Sequence, residues 1–394
     1  MGRAKLKSMR LLLVLAASCF VSSMSMRLID PVVPDIARSF HVDATAAVLL
    51  ASAFTFPYAL GQPVLGALGD ALGKAKIIKI TLAILVLCLA AGAAVTTLDG
   101  LFAARIIGGA AGGGIIPLAF ALVGDRFAMA ERQIALSRVL AAIIAGQMTG
   151  AVGSGLIANA FGWRASMAAG TLIATLALLL TLWQLHPRSN AERPPFRLTH
   201  MFDGYARVFR NPRTVVCFTA VFIEGVIVFG LFPYLAVLLE QRGAGGLKEA
   251  GFVLAGFALG GFLYTALVRL MLARLGVFNL IRVGAGIAGL GFAALSPGWS
   301  WPVEMAMMFL IGAGFYMIHN SLQTQATELA PNNRASAVAA HAFFFFLGQA
   351  AGPLAYKFGF DHAGIPATLL TAGVLMALTG AATAAGLKSR SPIG

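Results

Sequence analysis

Apolar runs of about twenty residues, separated by short segments carrying charge, proline or glycine, recur along the whole chain. A helix rises about 1.5 Å per residue, so about 20 residues cross the ~30 Å hydrocarbon core of a bilayer. On that ruler the pattern predicts twelve transmembrane helices, at 10–34, 45–69, 76–96, 99–124, 133–158, 163–186, 212–240, 248–272, 277–296, 301–326, 335–358 and 363–387. Arg3, Lys5, Lys7 and Arg10 ahead of Leu11 imitate a secretory leader. The helical pattern nevertheless continues through Met26 towards Pro34, which reads as a retained first helix. The one long polar interruption, at 187–211, contains several prolines and arginines and predicts an extended tether with a short amphipathic helix. It separates six spans in 1–186 from six in 212–394.

Lysine and arginine orient the spans. With the N-terminus in the cytoplasm, 22 of the 29 basic residues fall on the cytoplasmic side. Five (Arg38, Arg164, Arg242, Lys248 and Lys357) fall outside, and Arg27 and Arg105 lie within spans. Positive residues concentrate on the cytoplasmic face of membrane proteins, so both termini are expected there. Composition agrees: 59% of the 394 residues are hydrophobic and 11% charged, against about 25% charged in soluble chains. The basic excess, 29 against 15 acidic residues, sits in connecting segments rather than on one face, which argues against nucleic acid as a partner. Three cysteines, all within apolar runs, suggest neither a disulfide framework nor a zinc site.

The two halves share a pattern. Arg132 is followed by Gln147 and Gly150, and Arg334 by Gln349 and Gly352, an offset of 202 residues throughout. Gly73, closing the loop after the second span, is matched at an offset of 203 by Gly276 after the eighth. An internal duplication is the simplest account. It predicts an all-α membrane protein of two pseudo-symmetric six-helix bundles. That is one arrangement of secondary transporters, with the substrate near the midplane between halves.

Gly66-Ala67-Leu68-Gly69-Asp70-Ala71-Leu72-Gly73-Lys74-Ala75-Lys76 resembles the signature between helices two and three of the major facilitator superfamily. Arg105-Ile106-Ile107-Gly108-Gly109-Ala110 is similar to that family's R-x-x-x-G segment in helix four, and Phe161-Gly162-Trp163-Arg164 to a frequent feature before helix six. Asp30-Pro31-Val32-Val33-Pro34-Asp35-Ile36-Ala37 resembles the twelve-span drug:proton antiporter branch. Gly146–Gly155 keeps the glycines of that branch's helix-five motif and lacks its proline. The resemblance implies the major facilitator fold, alternating access, and a conformational latch at Gly66, Asp70, Gly73 and Lys74. It also implies a plasma-membrane (cell inner membrane) protein that takes a small-molecule substrate, uses protons rather than a cofactor, and works as a monomer. Physically, Gly66 and Gly73 would permit tight turns and close helix approach, and Asp70 would pair with a basic group or a helix end.

Ionisable groups inside spans cost about 2.5–3.5 kcal/mol each even on the lenient scales, so each is a functional candidate. Arg27 and Asp30, three residues apart, share a helix face, and Arg105 enters helix four to a similar depth. Asp30 is expected to pair with Arg27 or Arg105 and to release its partner on protonation, the alternative being a static ion pair. Glu224 stands in an apolar stretch with no opposite charge nearby in sequence. It reads as a proton site, an anchor for a cationic substrate, or a neutral hydrogen-bond donor; with Asp30, Arg27 and Arg105 it completes a candidate proton-coupling set. His319, Asn320 and Gln323 fall on helix ten, with His319 and Gln323 on one face, and Gln147 and Gln349 occupy equivalent places in helices five and eleven. These five and Tyr234 are the candidate substrate contacts; a packing role is the alternative for each. His341 lies nearer the cytoplasmic end of helix eleven. No Walker loop, H-x-x-x-H pair or G-x-S-x-G elbow occurs, so no enzyme is expected. The first functional reading is proton-coupled export of a small organic or amphipathic compound. The second is an importer or facilitator for a small metabolite, an anionic one being bound by Arg27, Arg105 and His319.

Overall fold

The computed structural model describes residues 2–127, 129–185, 205–330 and 334–389, except the side chains of 2–8, 70, 129–131, 133 and 335. Most of the tether at 187–211 lies outside the described residues. The chain divides into two compact units, Met1–Arg197 and Leu198–Gly394. Among the described residues, ten helical runs are long and apolar enough to cross a membrane. Large apolar side chains such as Leu87, Leu176 and Leu290 stand on their outer faces. Lipid, not water, is the solvent that tolerates such a surface, and the chain is a multi-pass integral membrane protein.

In the first unit, α1 (Gly2–Arg27) is followed by a 3-10 turn (Asp30–Val32) and α2 (Val33–Phe40). The span expected at 10–34 is therefore interrupted. Pro31 and Pro34 lack amide donors, and proline disfavours helical backbone in the residue before it. Next come α3 (Ala44–Leu72), begun by an Asp43 side chain that accepts the Thr45 amide, and α4 (Lys74–Ala94). Gly73 alone joins them, at φ 102°, a backbone angle that disfavours any side chain. Leu98–Gly112 (α5) and Ile115–Arg126 (α6) continue one another as a single span. Met129–Met148 (α7) runs through a π-helical turn, Thr149–Gly153, into α8 (Ser154–Phe161), and α9 (Trp163–Gln184) ends the unit's helices.

In the second unit, α10 (Arg213–Leu231), a 3-10 turn at Phe232–Tyr234 and α11 (Leu235–Gln241) succeed one another. They are followed by α12 (Leu247–Leu295), α13 (Trp301–Glu328) and α14 (Arg334–Ser389). At 49 residues, α12 is far longer than the hydrocarbon core needs. Gly276 (φ 68°, ψ 168°) turns it into two helices, and Gly364 (φ 78°, ψ 167°) does the same in α14.

Glycine sets the helix contacts, and the contacts repeat. A Cβ on Gly109 would collide with the Phe54 carbonyl oxygen, and one on Gly312, 203 residues later, with that of Phe257, itself 203 residues after Phe54. Gly146 sits on the Phe20 carbonyl as Gly348 sits on that of Phe222, and Gly150 on Met24 as Gly352 on Val226, at an offset of 202. Such backbone-to-backbone approach is how helices associate in lipid, where no hydrophobic drive joins them. Gly66 departs from expectation: it lies inside α3 with nothing within 4 Å of a Cβ, and the close approach belongs to Gly69, against Leu118.

These contacts predict a graded response to side-chain addition. Gly312→Val should lower the thermal unfolding midpoint of the detergent-solubilised protein by an amount matching overpacking, about 1–3 kcal/mol or more. Gly286→Ala, with open space around it, should leave the midpoint unchanged.

Candidate functional site

Three charged side chains meet in the first unit where the first span is interrupted. Because α1 stops at Arg27, its last carbonyls lose their helical donors. The Arg105 guanidinium replaces them: Nη1 donates to the Ser25 carbonyl at 2.8 Å, Nη2 to Met26 at 3.4 Å and Nε to Leu50 at 3.2 Å. Its plane lies 4.1 Å from the centroid of the Phe54 ring. A cation at a helix C-terminus is also favoured by the helix dipole. Arg27 Nη1 lies 3.5 Å from Asp30 Oδ2, and both side chains are buried, Asp30 to 1% exposure. Asp30 Oδ1 accepts no hydrogen bond. Asp30 therefore contacts Arg27, while Arg105 attracts it electrostatically and spends its own hydrogen bonds on backbone. The π-helical turn packs alongside: Gly150 contacts the Met24 carbonyl and the Arg27 Cβ. Such turns relax the helical register, often at functional sites.

Two acids passed over in the sequence complete this unit. Asp35 Oδ2 accepts the Trp163 amide at 2.8 Å while the Trp163 indole donates to Ser39 Oγ at 2.9 Å, clasping α2 to the start of α9. Arg164 donates to the Val95 carbonyl at 3.1 Å. Proximity of Pro34-Asp35 to a span end was the available signal. At the opposite end of the helices, Lys74 Nζ pairs with Asp125 Oδ2 at 2.7 Å, tying the α3–α4 junction to α6. The Asp70 side chain lies outside what the structure describes.

In the second unit Glu224 has a partner that sequence proximity did not reveal. His319 Nδ1 of α13 is hydrogen-bonded to Glu224 Oε2 of α10 at 3.1 Å, with Glu224 1% exposed. Glu224 Oε1 accepts nothing. A residue from the proposed coupling set and one from the proposed substrate set thus form one pair, across 95 residues of sequence. Phe345 and Phe315 cover the His319 ring at centroid distances of 4.4 and 5.0 Å, and the His341 ring lies at 5.2 Å. A separate clasp joins Arg242 Nη2 to Glu304 Oε1 at 2.9 Å, with the Trp299 amide donating to the same oxygen.

The other candidates are dispersed. Tyr234 is buried and its hydroxyl donates to the Pro353 carbonyl at 2.9 Å, so it joins α14 to the end of α10 rather than presenting a polar tip. Gln349 is buried beside the tight Gly225–Gly348 contact, Gln147 and Asn320 are half-buried, and Gln323 is exposed. Among the described residues no cluster of three His, Cys, Asp or Glu side chains is arranged to hold a metal ion.

Both units thus combine interrupted or kinked spans, glycine-knit helices and buried charged side chains. Residues 15–353 match the Major Facilitator Superfamily, and the chain belongs to that family. It is similar to Multidrug resistance protein 2 of Bacillus subtilis (strain 168), 27% identical over 226 residues. That match covers 57% of this chain and 56% of the relative, little more than half of each. Multidrug resistance protein 1 of the same bacterium is 21% identical over 351 residues, 89% of this chain and 90% of that one. The solved structure of the nucleoside transporter NupG superposes with a TM-score of 0.78 at 17% identity, covering 97% of this chain and all of that one, which shows a shared fold.

The geometry of Arg105 makes a sharp prediction. Arg105→Lys keeps the charge but cannot reach three carbonyls and a ring face together, leaving buried acceptors unsatisfied. A loss of about 1–3 kcal/mol in unfolding free energy is expected, measured by denaturation in detergent; an unchanged stability would show that the fork is not needed.

Proposed function

We propose that this chain is a proton-coupled exporter of a small organic or amphipathic compound, working by alternating access. The observation that carries the reading is a buried acid in each unit, Asp30 and Glu224, each hydrogen-bonded through one oxygen and open at the other. An acid so placed is poised between charged and neutral forms by any change in its surroundings. The family and the names of the multidrug resistance relatives support a solute pump of the drug:proton antiporter kind.

In this reading the helical runs make twelve crossings, since Gly276 and Gly364 each divide one run in two. Six fall on either side of the cytoplasmic tether at 187–211, and both termini are cytoplasmic. Protonation of Asp30 cancels its attraction for Arg27 beside the interrupted end of α1 and so changes the relative energy of two arrangements of that segment. Glu224 accepts or returns a proton through His319. Lys74 and Asp125, with Gly73 as the turning residue, latch the cytoplasmic ends of α3, α4 and α6 in one conformation. The substrate exchanges with the protons as the protein alternates between two states of access.

A second reading, an importer or facilitator of an anionic metabolite, draws on the excess of positive charge at Arg27, Arg105 and Asp30: two guanidiniums against one carboxylate. Proteoliposomes with an imposed pH gradient and ethidium as probe, or an organic anion such as benzoate in its place, separate the two. An exporter accumulates ethidium against its gradient, and Asp30→Asn or Glu224→Gln should lower that accumulation by at least about tenfold. Accumulation retained in both variants, or mere equilibration of benzoate by the wild type, would reject the exporter.

A further inference from the structure

The two units repeat their backbone contacts but not their titratable groups. By the offsets of 202 and 203 residues that relate the glycine contacts, Glu224 corresponds to Ser22, His319 to Ile116 and His341 to Val139. Ser22 makes short-range hydrogen bonds to Tyr58 Oη and to the Gly112 carbonyl, and the other two counterparts are apolar. A fold that is satisfied by Ser, Ile and Val at these places does not require Glu, His and His there.

The three groups also form a ladder. Asn211 donates to the Leu329 carbonyl, which fixes the start of α10 beside the end of α13, and α14 begins just after, at Arg334. Measured from that shared end at about 1.5 Å per residue, His341 lies roughly 10 Å inward, His319 roughly 13 Å and Glu224 roughly 16 Å. Glu224 Oε2 is bonded to His319 Nδ1, the His319 and His341 rings are 5.2 Å apart, and His341 Nε2 is buried with no hydrogen-bond partner. His341 is 1% exposed. Phe315 and Phe345 pack on the middle ring, whose side chain stays 14% exposed. Among the other ionisable groups on these helices, the Cys217 thiol donates to the Leu322 carbonyl, Arg213 is bonded to Gln325 and Arg334 pairs with Glu328 at the mouth of the ladder; Glu304, Tyr316, Tyr356 and the charged groups from Lys357 onward complete the set.

We propose that Glu224, His319 and His341 form a proton relay between the buried carboxyl of the second unit and the cytoplasmic end of α10, α13 and α14. The relay rests on the reading above that this end faces the cytoplasm and that Glu224 exchanges its proton. In the outgoing step a proton leaves Glu224 Oε2 for His319 Nδ1. Once the rings turn to bring the two Nε2 atoms within hydrogen-bond reach, the proton on His319 Nε2 moves to His341 Nε2, and the one on His341 Nδ1 passes to water. A carboxylate and two neutral imidazoles remain, and one proton has left. Return of the rings to their first tautomers, with reprotonation of Glu224, completes the cycle. His341, which contacts no acid itself, is thereby a proton-transfer residue and not a packing histidine.

The test needs no substrate. The purified full-length protein is subjected to a pH jump, and the infrared carbonyl band of protonated Glu224, identified as the band that Glu224→Gln removes, is followed in time. His341→Gln should slow the response by at least about tenfold, in the range ascribed to positioned acid–base groups, while leaving its equilibrium midpoint in place. His341→Val, which installs the residue found at Val139, provides a variant the fold already accommodates and should slow it equally; added imidazole should restore the rate in both. An unslowed response in His341→Val, or a Glu224 band that never responds to pH, overturns the relay. A relay that behaves as expected in a protein showing no proton-coupled transport would instead retire the exporter reading alone.

Discussion

A guanidinium or carboxylate taken out of water loses several kcal/mol of solvation unless partners replace what water supplied. Every other feature of the two clusters follows from that constraint. In the first unit the partners are backbone carbonyls, among them those of Ser25 and Met26 where α1 ends at Arg27. The break in the helix and the buried Arg105 are therefore one device: the carbonyls need a donor, and the guanidinium needs acceptors. Asp30 then offsets the remaining charge by its contact with Arg27. In the second unit no cation is placed beside Glu224, and a histidine, able to be donor or acceptor, takes the role.

The scaffold beneath these clusters is assembled twice by the same means. Phe54 on Gly109 and Phe257 on Gly312, Phe20 on Gly146 and Phe222 on Gly348, are backbone approaches that leave no room for a side chain. Between these tight contacts the helices depart from regular geometry at a few points. Those are the 3-10 turn at Asp30–Val32, the π-helical turn at Thr149–Gly153 and the 3-10 turn at Phe232–Tyr234. Duplication supplied the frame, and chemistry then diverged within it: Arg105 and Glu224 have no charged counterparts at the matching positions of the other unit.

Hydropathy alone marked where the ten apolar helical runs of the described residues lie, because lipid demands about twenty apolar residues whatever the tertiary contacts. Gly73 and Gly276 were also readable as loop ends, whereas Gly364 fell inside the span expected at 363–387; all three have a backbone angle that glycine tolerates best. The interruption after Arg27 was written in Pro31 and Pro34 and yet hidden by uniform hydropathy across it. Glu224 and His319 are 95 residues apart and meet only because α10 and α13 pack together, so no local pattern could join them. Asp35, Asp125 and Glu304 were not among the candidates, since each is bound to a group far away in sequence. Tyr234 misled in the other direction, since an aromatic with a polar tip at mid-chain suits a ligand as well as the Pro353 carbonyl it serves.

The claim at the centre of this account is that Asp30 and Glu224 both change protonation state in the folded protein. Potentiometric titration of the wild type against an Asp30→Asn, Glu224→Gln double variant, between about pH 4 and 9, counts those protons directly. The account predicts two more protons released per wild-type molecule than per variant molecule; identical curves would mean that both acids are locked in one state and that the buried charges are scaffolding.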